Sequence, residues 1–140
     1  MERVKGTAGC FVLDGDGSNP KALKTDFFWN EEKKRIEAHF TADFTWAGFE
    51  GVVHGGLLAA ILDEAMAWAI EREYGKYAYT GELRIRFSKP VLIEQPYLAI
   101  AWVESVEGRK YLTKGQILSS QGEAAASADS VFIYLPELKG

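Results

Sequence analysis

A chain of 140 residues, 47% hydrophobic and 26% charged, has the composition of one globular domain. Such a length buries about two thirds of the unfolded surface. A net charge of −4 argues against nonspecific nucleic-acid binding, which needs a basic surface. The one cysteine, Cys10, rules out an internal disulfide, and no CxxC or Cys/His cluster is present. The setting this implies is a reducing cytoplasm.

The opening MERVKGTAGCFVLDGDG has no long apolar core and does not read as a signal peptide. No apolar run is long enough, and free enough of acids, to cross a bilayer. TAGCFVL reads as a strand or a short helix. DGDGSNP reads as a turn-rich loop; as a calcium loop starting at Asp14 it fails, with Asn19 where Gly is needed and Thr25 where Glu is needed. ALKTDFFW and RIEAHFT flank the polar NEEKK, which predicts a β-hairpin. Ile36, Ala38 and Phe40 face inward there, and His39 faces the polar side. ADFTWAGFEG follows, with three aromatics, Phe44, Trp46 and Phe49, and two glycines.

A long helix then starts at Gly55 and fades at EREYGK, where Gly75 is the stop. TGELRIRFSKP alternates Leu83, Ile85 and Phe87 against Arg84, Arg86 and Ser88 until Pro90 breaks the ladder. YLAIAWVESV, KYLTKGQILSS and AAASADSVFIYLP read as further strands joined by tight turns at EGR and SQGE. One long helix with about six strands is an α+β arrangement on an antiparallel sheet, a single domain over residues 1–140.

The helix carries two acids in its middle, Asp63 and Glu64. Successive helical residues turn by about 100°. Gly56, Ala59, Ala60, Ala67 and Ile70 lie within about 60° of Asp63, with Met66 at the margin. Leu58, Ile61, Leu62, Ala65, Trp68 and Ala69 lie toward the back, the stripe that packs on a sheet. The small residues around Asp63 leave room either for a partner subunit or for a substrate. Glu64 sits on the flank and reads as a solvated structural acid.

EGVVHGG leads into the helix through glycines. Free N–H groups at a helix N-terminus suit a carbonyl oxygen gaining negative charge. Asp63, about two turns along, can attack a carbonyl or activate a water. That geometry fits acyl transfer or hydrolysis. No Ser or Cys stands at the entrance, and no GxSxG occurs.

HGGLLAAILDEAMAWA, preceded by GFEGVV and followed by TGELRIRFSKPV, resembles the hotdog-fold acyl-CoA thioesterases. The likeness is closest to the phenylacetyl-CoA and medium- to long-chain acyl-CoA branch. HGG-x6-D followed by a strand ending in Lys-Pro carries it over residues 44–92. The resemblance implies a long helix wrapped by a curved antiparallel sheet, pairing of sheets into a homodimer or tetramer, and active sites at the dimer interface. It implies an acyl-CoA substrate and no metal or organic cofactor. It places Asp63 as general base or nucleophile, the Gly55 N–H on the thioester oxygen, Thr80 beside the attacking water, and His54 at the motif histidine. Gly56, Gly48, Phe49, Trp46 and Arg84 are the candidate substrate contacts. Gly48 is a departure, because several relatives carry Asn or Gln there.

Phe44, Trp46 and Phe49 either line an acyl or aryl pocket or pack in an interface. Arg84, Arg86, Lys89, Arg109, Lys110 and Lys114 either meet CoA phosphates or form a solvated sheet face. Two other readings stay open: a noncatalytic acyl-CoA-binding module, and a hydratase or dehydratase in which His54 pairs with an acid.

Overall fold

The computed structural model describes residues 1–138, so the single-domain reading of 1–140 includes two residues, Lys139 and Gly140, outside those described. In chain order the elements are β1 (Glu2–Val4), β2 (Phe27–Asn30), β3 (Arg35–Thr41), a single 3-10 turn at Phe44–Trp46, β4 (Ala47–Phe49) and β5 (Val52–Val53). Then come α1 (Gly55–Tyr74), β6 (Ala78–Phe87), β7 (Pro96–Glu107), β8 (Lys110–Ser119) and β9 (Ala124–Tyr134). Seven strands form one antiparallel sheet in the order β1-β2-β3-β7-β8-β9-β6, while β4 and β5 pair separately. The chain leaves the sheet at β3, runs through α1, and re-enters at the far edge as β6. One long helix packed on a large antiparallel sheet is the hotdog arrangement.

The helix forms because Leu57 to Ile70 is a run of good helix formers with bulky side chains on one flank. Gly75 ends it in a left-handed conformation, φ 69°, and its N–H bonds to the Glu71 carbonyl. Buried Leu58, Ile61, Leu62, Ala65 and Ala69 are the predicted back stripe. Met66 and Ile70 are buried too, although the helix wheel sets them toward Asp63. Met66 packs on the sheet, where its Sδ accepts the Ser130 hydroxyl at 3.2 Å beside Gly115.

Cross-strand register explains how the helix seats. Ile36, Ala101, Gly115, Ala128 and Ile85 lie in one row across β3, β7, β8, β9 and β6. Ala38, Ala99, Ile117 and Ala126 form the next row toward the chain entrance. Ala101, Gly115 and Ala128 in the middle of the first row let α1 approach the backbone closely. Burying each helix Leu or Ile there contributes about 1.5–3 kcal/mol.

The strand readings after the helix hold, and the β2–β3 hairpin holds with His39 exposed. The main sheet has seven strands rather than about six, because β1 is too short to show a period. TAGCFVL is neither strand nor helix. The Asp14 carboxylate collects the N–H groups of Gly9, Ser18 and Asn19, and this local bonding competes with regular structure. Phe87 does not join the core with Leu83 and Ile85; it is 50% exposed at the end of β6.

A Cβ on Gly115 would stand 3.1 Å from Leu62 Cδ2 and 3.2 Å from the Ile100 carbonyl oxygen, which cannot swing aside. Gly115→Val should therefore destabilise the protein by about 1–3 kcal/mol in chemical denaturation. Parental stability would show that the helix does not rest on this row.

Candidate active site

Strand β6 pairs with β9 on one side only, and its register shifts between Thr80↔Phe132 and Glu82↔Val131. Gly81 is the extra residue of a β-bulge. A Cβ there would meet the Val131 carbonyl oxygen and Ile133 Cγ1 at 3.1 Å, so glycine suits the site. The bulge resets the alternation. Thr80 faces the helix together with Leu83 and Ile85, which strict alternation from Leu83 would forbid. Thr80 Oγ1 then donates to Asp63 Oδ1 at 2.5 Å.

Asp63 is half-buried among the small residues of α1. Burial pushes its carboxyl above the usual carboxylate range, and the Thr80 hydrogen bond opposes that rise. One oxygen is held by the hydroxyl, which leaves Oδ2 to act. Glu64 behaves differently: its Oε2 accepts the Trp68 indole N–H at 2.7 Å, one turn along the same helix.

The helix entrance is built from close backbone approaches. His54 N–H bonds to the Trp46 carbonyl at 2.8 Å, and Val53 N–H to the Val91 carbonyl at 2.8 Å. His54 is the N-cap, with its Nδ1 accepting the Gly56 N–H at 2.9 Å. That bond uses Nδ1 as an acceptor. A Cβ on Gly56 would lie 3.1 Å from Nδ1, so glycine lets the ring fold back over the helix start. The Leu57 and Leu58 N–H groups both turn to the His54 carbonyl. Among the described residues the Gly55 N–H has no partner, and it stands as the free donor at the positive end of the helix.

Around that donor, Gly48, Phe49, Val52, Val53, His54 and Gly55 line an open cavity of about 320 Å³. Phe49 is 79% and Phe44 75% exposed. Trp46 is not part of this lining; it stacks on Phe40 at 5.9 Å and belongs to the core edge. Gly48 packs against His54, where an added Cβ would stand 3.1 Å from the His54 Cα. Arg84 lies on the opposite face of the sheet from Thr80 and Asp63, within a separate trough of about 710 Å³. Among the described residues no group of three or more His, Cys, Asp or Glu side chains could hold a metal ion.

A carboxylate with a free oxygen and an unpaired helix-start N–H are the two parts that acyl chemistry needs. The family model of the thioesterase superfamily matches residues 50–126, more than half of the chain, and spans both parts. The chain belongs to the thioesterase superfamily.

This thioesterase-superfamily chain is 28% identical over 109 residues to rat acyl-coenzyme A thioesterase THEM4, covering 77% of this chain and 46% of that one. It spans about half the length of the curated relatives it matches. Among solved structures, the thioesterase superfamily protein RHA08564 matches with a TM-score of 0.82 and 26% identity, over 91% of this chain and 61% of that one. The BH2602 protein of Bacillus halodurans, solved with CoA, matches with a TM-score of 0.69 and 26% identity, over 80% and 74% of the two chains.

The structure brings Asp63 and Thr80 together, and His54, Gly55 and Gly56 together, as two separate clusters. Eight residues at about 1.5 Å each put Gly55 and Asp63 about 12 Å apart along one helix. Sequence reasoning missed Phe87, whose Cζ would lie 3.5 Å from a Cβ on Gly55. It also missed the bulge, which a glycine inside an alternating strand could have signalled.

The capping role of His54 is open to test. His54→Ala should cost about 1 kcal/mol of stability in denaturation, and His54→Asn, a strong N-cap, should recover most of it. An alanine variant as stable as the parent would remove the ring from that role.

Proposed function

We propose that this chain hydrolyses an acyl-CoA thioester to a free acid and CoA, with residues 1–140 acting as one catalytic domain. The observation that carries the reading is the half-buried Asp63 carboxylate, held at one oxygen by Thr80 and free at the other. Asp63 acts as nucleophile or as base for a water that attacks the thioester carbon. The Gly55 N–H and the helix N-terminus steady the oxyanion. CoA then leaves as the thiolate. Family membership, the name of the THEM4 relative and the CoA in the BH2602 structure support this substrate class. Exposed Phe49, which lines the cavity with Gly55, offers apolar surface for the acyl group. With Cys10 as its one cysteine, the chain has no need of an oxidising compartment, and the cytoplasm is the proposed setting.

The Gly55 and Asp63 backbones stand about 12 Å apart along one helix, a wide span for one thioester carbonyl. A homodimer resolves this: a second copy, related by a two-fold axis, sets Asp63 of one protomer against Gly55 of the partner subunit. The open edge of β6, with Tyr79 and Phe87 exposed on it, is the surface proposed to pair. A hydratase or dehydratase using His54 as acid–base partner would be marked by a double bond in the product rather than by free CoA.

Release of free thiol from a panel of CoA thioesters tests the proposal. Asp63→Asn should lower kcat about 10²–10⁴-fold. Gly55→Pro removes the donor N–H at a first helical position that tolerates proline, after a residue already extended at ψ 128°, and should lower kcat about 10²–10³-fold with the helix intact. A folded, dimeric Asp63→Asn variant with parental turnover would take Asp63 out of the mechanism. Tight acyl-CoA binding without thiol release across the panel would make the chain a binding module.

The pH profile gives a further check. The base must be ionised, so activity falls as pH drops through the raised Asp63 pKa, above the usual aspartate range. Thr80→Val removes the influence that lowers this pKa, so the acid limb of kcat should move to higher pH. A limb that stays put or moves down would separate Thr80 from the ionisation of Asp63.

A further inference from the structure

On the outer face of the sheet, turned away from Asp63, two cross-strand rows run side by side. Arg84, Asp129, Lys114 and Trp102 align across β6, β9, β8 and β7, and Arg86, Ser127 and Gln116 align next to them. These residues line an open trough of about 710 Å³, within the size range of small-molecule sites. Three cations meet there with a single carboxylate, on a chain whose net charge is −4. The Arg84–Asp129 pair is loose, at 4.0 Å with both side chains at least half exposed, so Arg84 is free to turn to another anion. Trp102 is oriented by its own hydrogen bond to Glu104 Oε2 at 3.1 Å and forms the opposite end of the row.

We propose that this trough binds a nucleotide phosphate. Arg84 and Arg86, about 7 Å apart on one strand face, grip adjacent phosphates, and Lys114 closes on them from β8. Three strand spacings of about 4.8 Å put Trp102 roughly 14 Å from Arg84, the scale of a nucleotide diphosphate laid flat, with its base on the indole. The Ser127 hydroxyl lies between the arginines and Gln116 as a further donor. The ligand is either a free nucleotide or the nucleotide end of CoA. Only the second source rests on the thioesterase reading.

Calorimetric titration of the full chain with ADP at low salt tests the site without any turnover. Saturable binding is expected, weakened about tenfold in Arg86→Gln and again in Lys114→Gln, and weakened by salt. Trp102→Leu should weaken ADP more than inorganic pyrophosphate, which has no base to stack. Arg86 and Lys114 are exposed, and melting temperatures of their glutamine variants should stay at the parental value. CoA that competes with ADP would assign the trough to the nucleotide end of CoA. CoA that binds together with ADP would assign it to a free nucleotide. The proposal is overturned by an absence of saturable ADP binding, or by a folded Arg86→Gln/Lys114→Gln variant that binds ADP like the parent. It is equally overturned if the trough proves closed by a second copy, with the same variants dissociating an oligomer that binds no ADP. Loss of thioesterase activity in every assay would leave this titration unaffected.

Discussion

The hydrogen bond from Thr80 to Asp63 ties the edge strand to the central helix, and the layout of the site follows from it. A carboxylate half-buried on a core helix is under pressure to take up a proton. One hydroxyl offsets part of that pressure and fixes the rotamer at the same time. The bond needs Thr80 to face inward three residues before Leu83, so it needs the bulge at Gly81. It also needs room beside Asp63, which Ala59, Ala60 and Ala67 provide by being small. Those alanines forgo apolar burial, and the opposite flank of the helix supplies it through Leu58, Ile61 and Leu62.

The helix entrance follows a similar logic with glycines. Gly56 lets the His54 ring cap its own helix, which takes up one of the initial N–H groups. Leu57 and Leu58 take up the His54 carbonyl. The Gly55 N–H is left over, as the donor facing the cavity. Gly48 explains itself in the same terms. Its backbone is pressed against His54, so a longer polar residue could not sit there without moving the cap. Among the described residues, Thr80 is the side chain that hydrogen-bonds Asp63.

Much of this was legible in the sequence, and the reasons are local. The helix limits were marked by the His-Gly-Gly start and by Gly75, and the long strands by strict alternation. Asp63 stood out from Glu64 because wheel position is a property of spacing alone, and the Trp68 bond to Glu64 agrees with the flank position. The rest depended on tertiary facts. Met66 is buried by residues far along the chain, Ser130 of β9 and Gly115 of β8, which helix spacing alone does not reveal. Phe87 fits the core phase of its strand, yet it lies at the strand end beside Gly55, past the cover of the helix. Histidine is an uncommon N-cap, so its ring reads as chemistry in sequence and as architecture in structure. Arg84, read as a substrate contact, lies on the face away from Asp63, because the bulge offsets it from Thr80.

The strand whose bulge points Thr80 inward is the last of the sheet, an edge with exposed aromatic side chains, Tyr79 and Phe87. A ten-residue edge of this kind is a liability in isolation, since its open N–H and C=O groups invite any passing strand. Pairing with an identical edge would satisfy those groups, and two-fold symmetry would run the partner helix in the opposite direction. Along antiparallel helices, a donor at residue 55 and a carboxylate at residue 63 come level in a way no single helix allows. The spacing that separates the two groups within one chain is thus the spacing that would join them across the proposed pair. In that arrangement the acid and the donor belong to different copies, and neither copy holds a complete site alone.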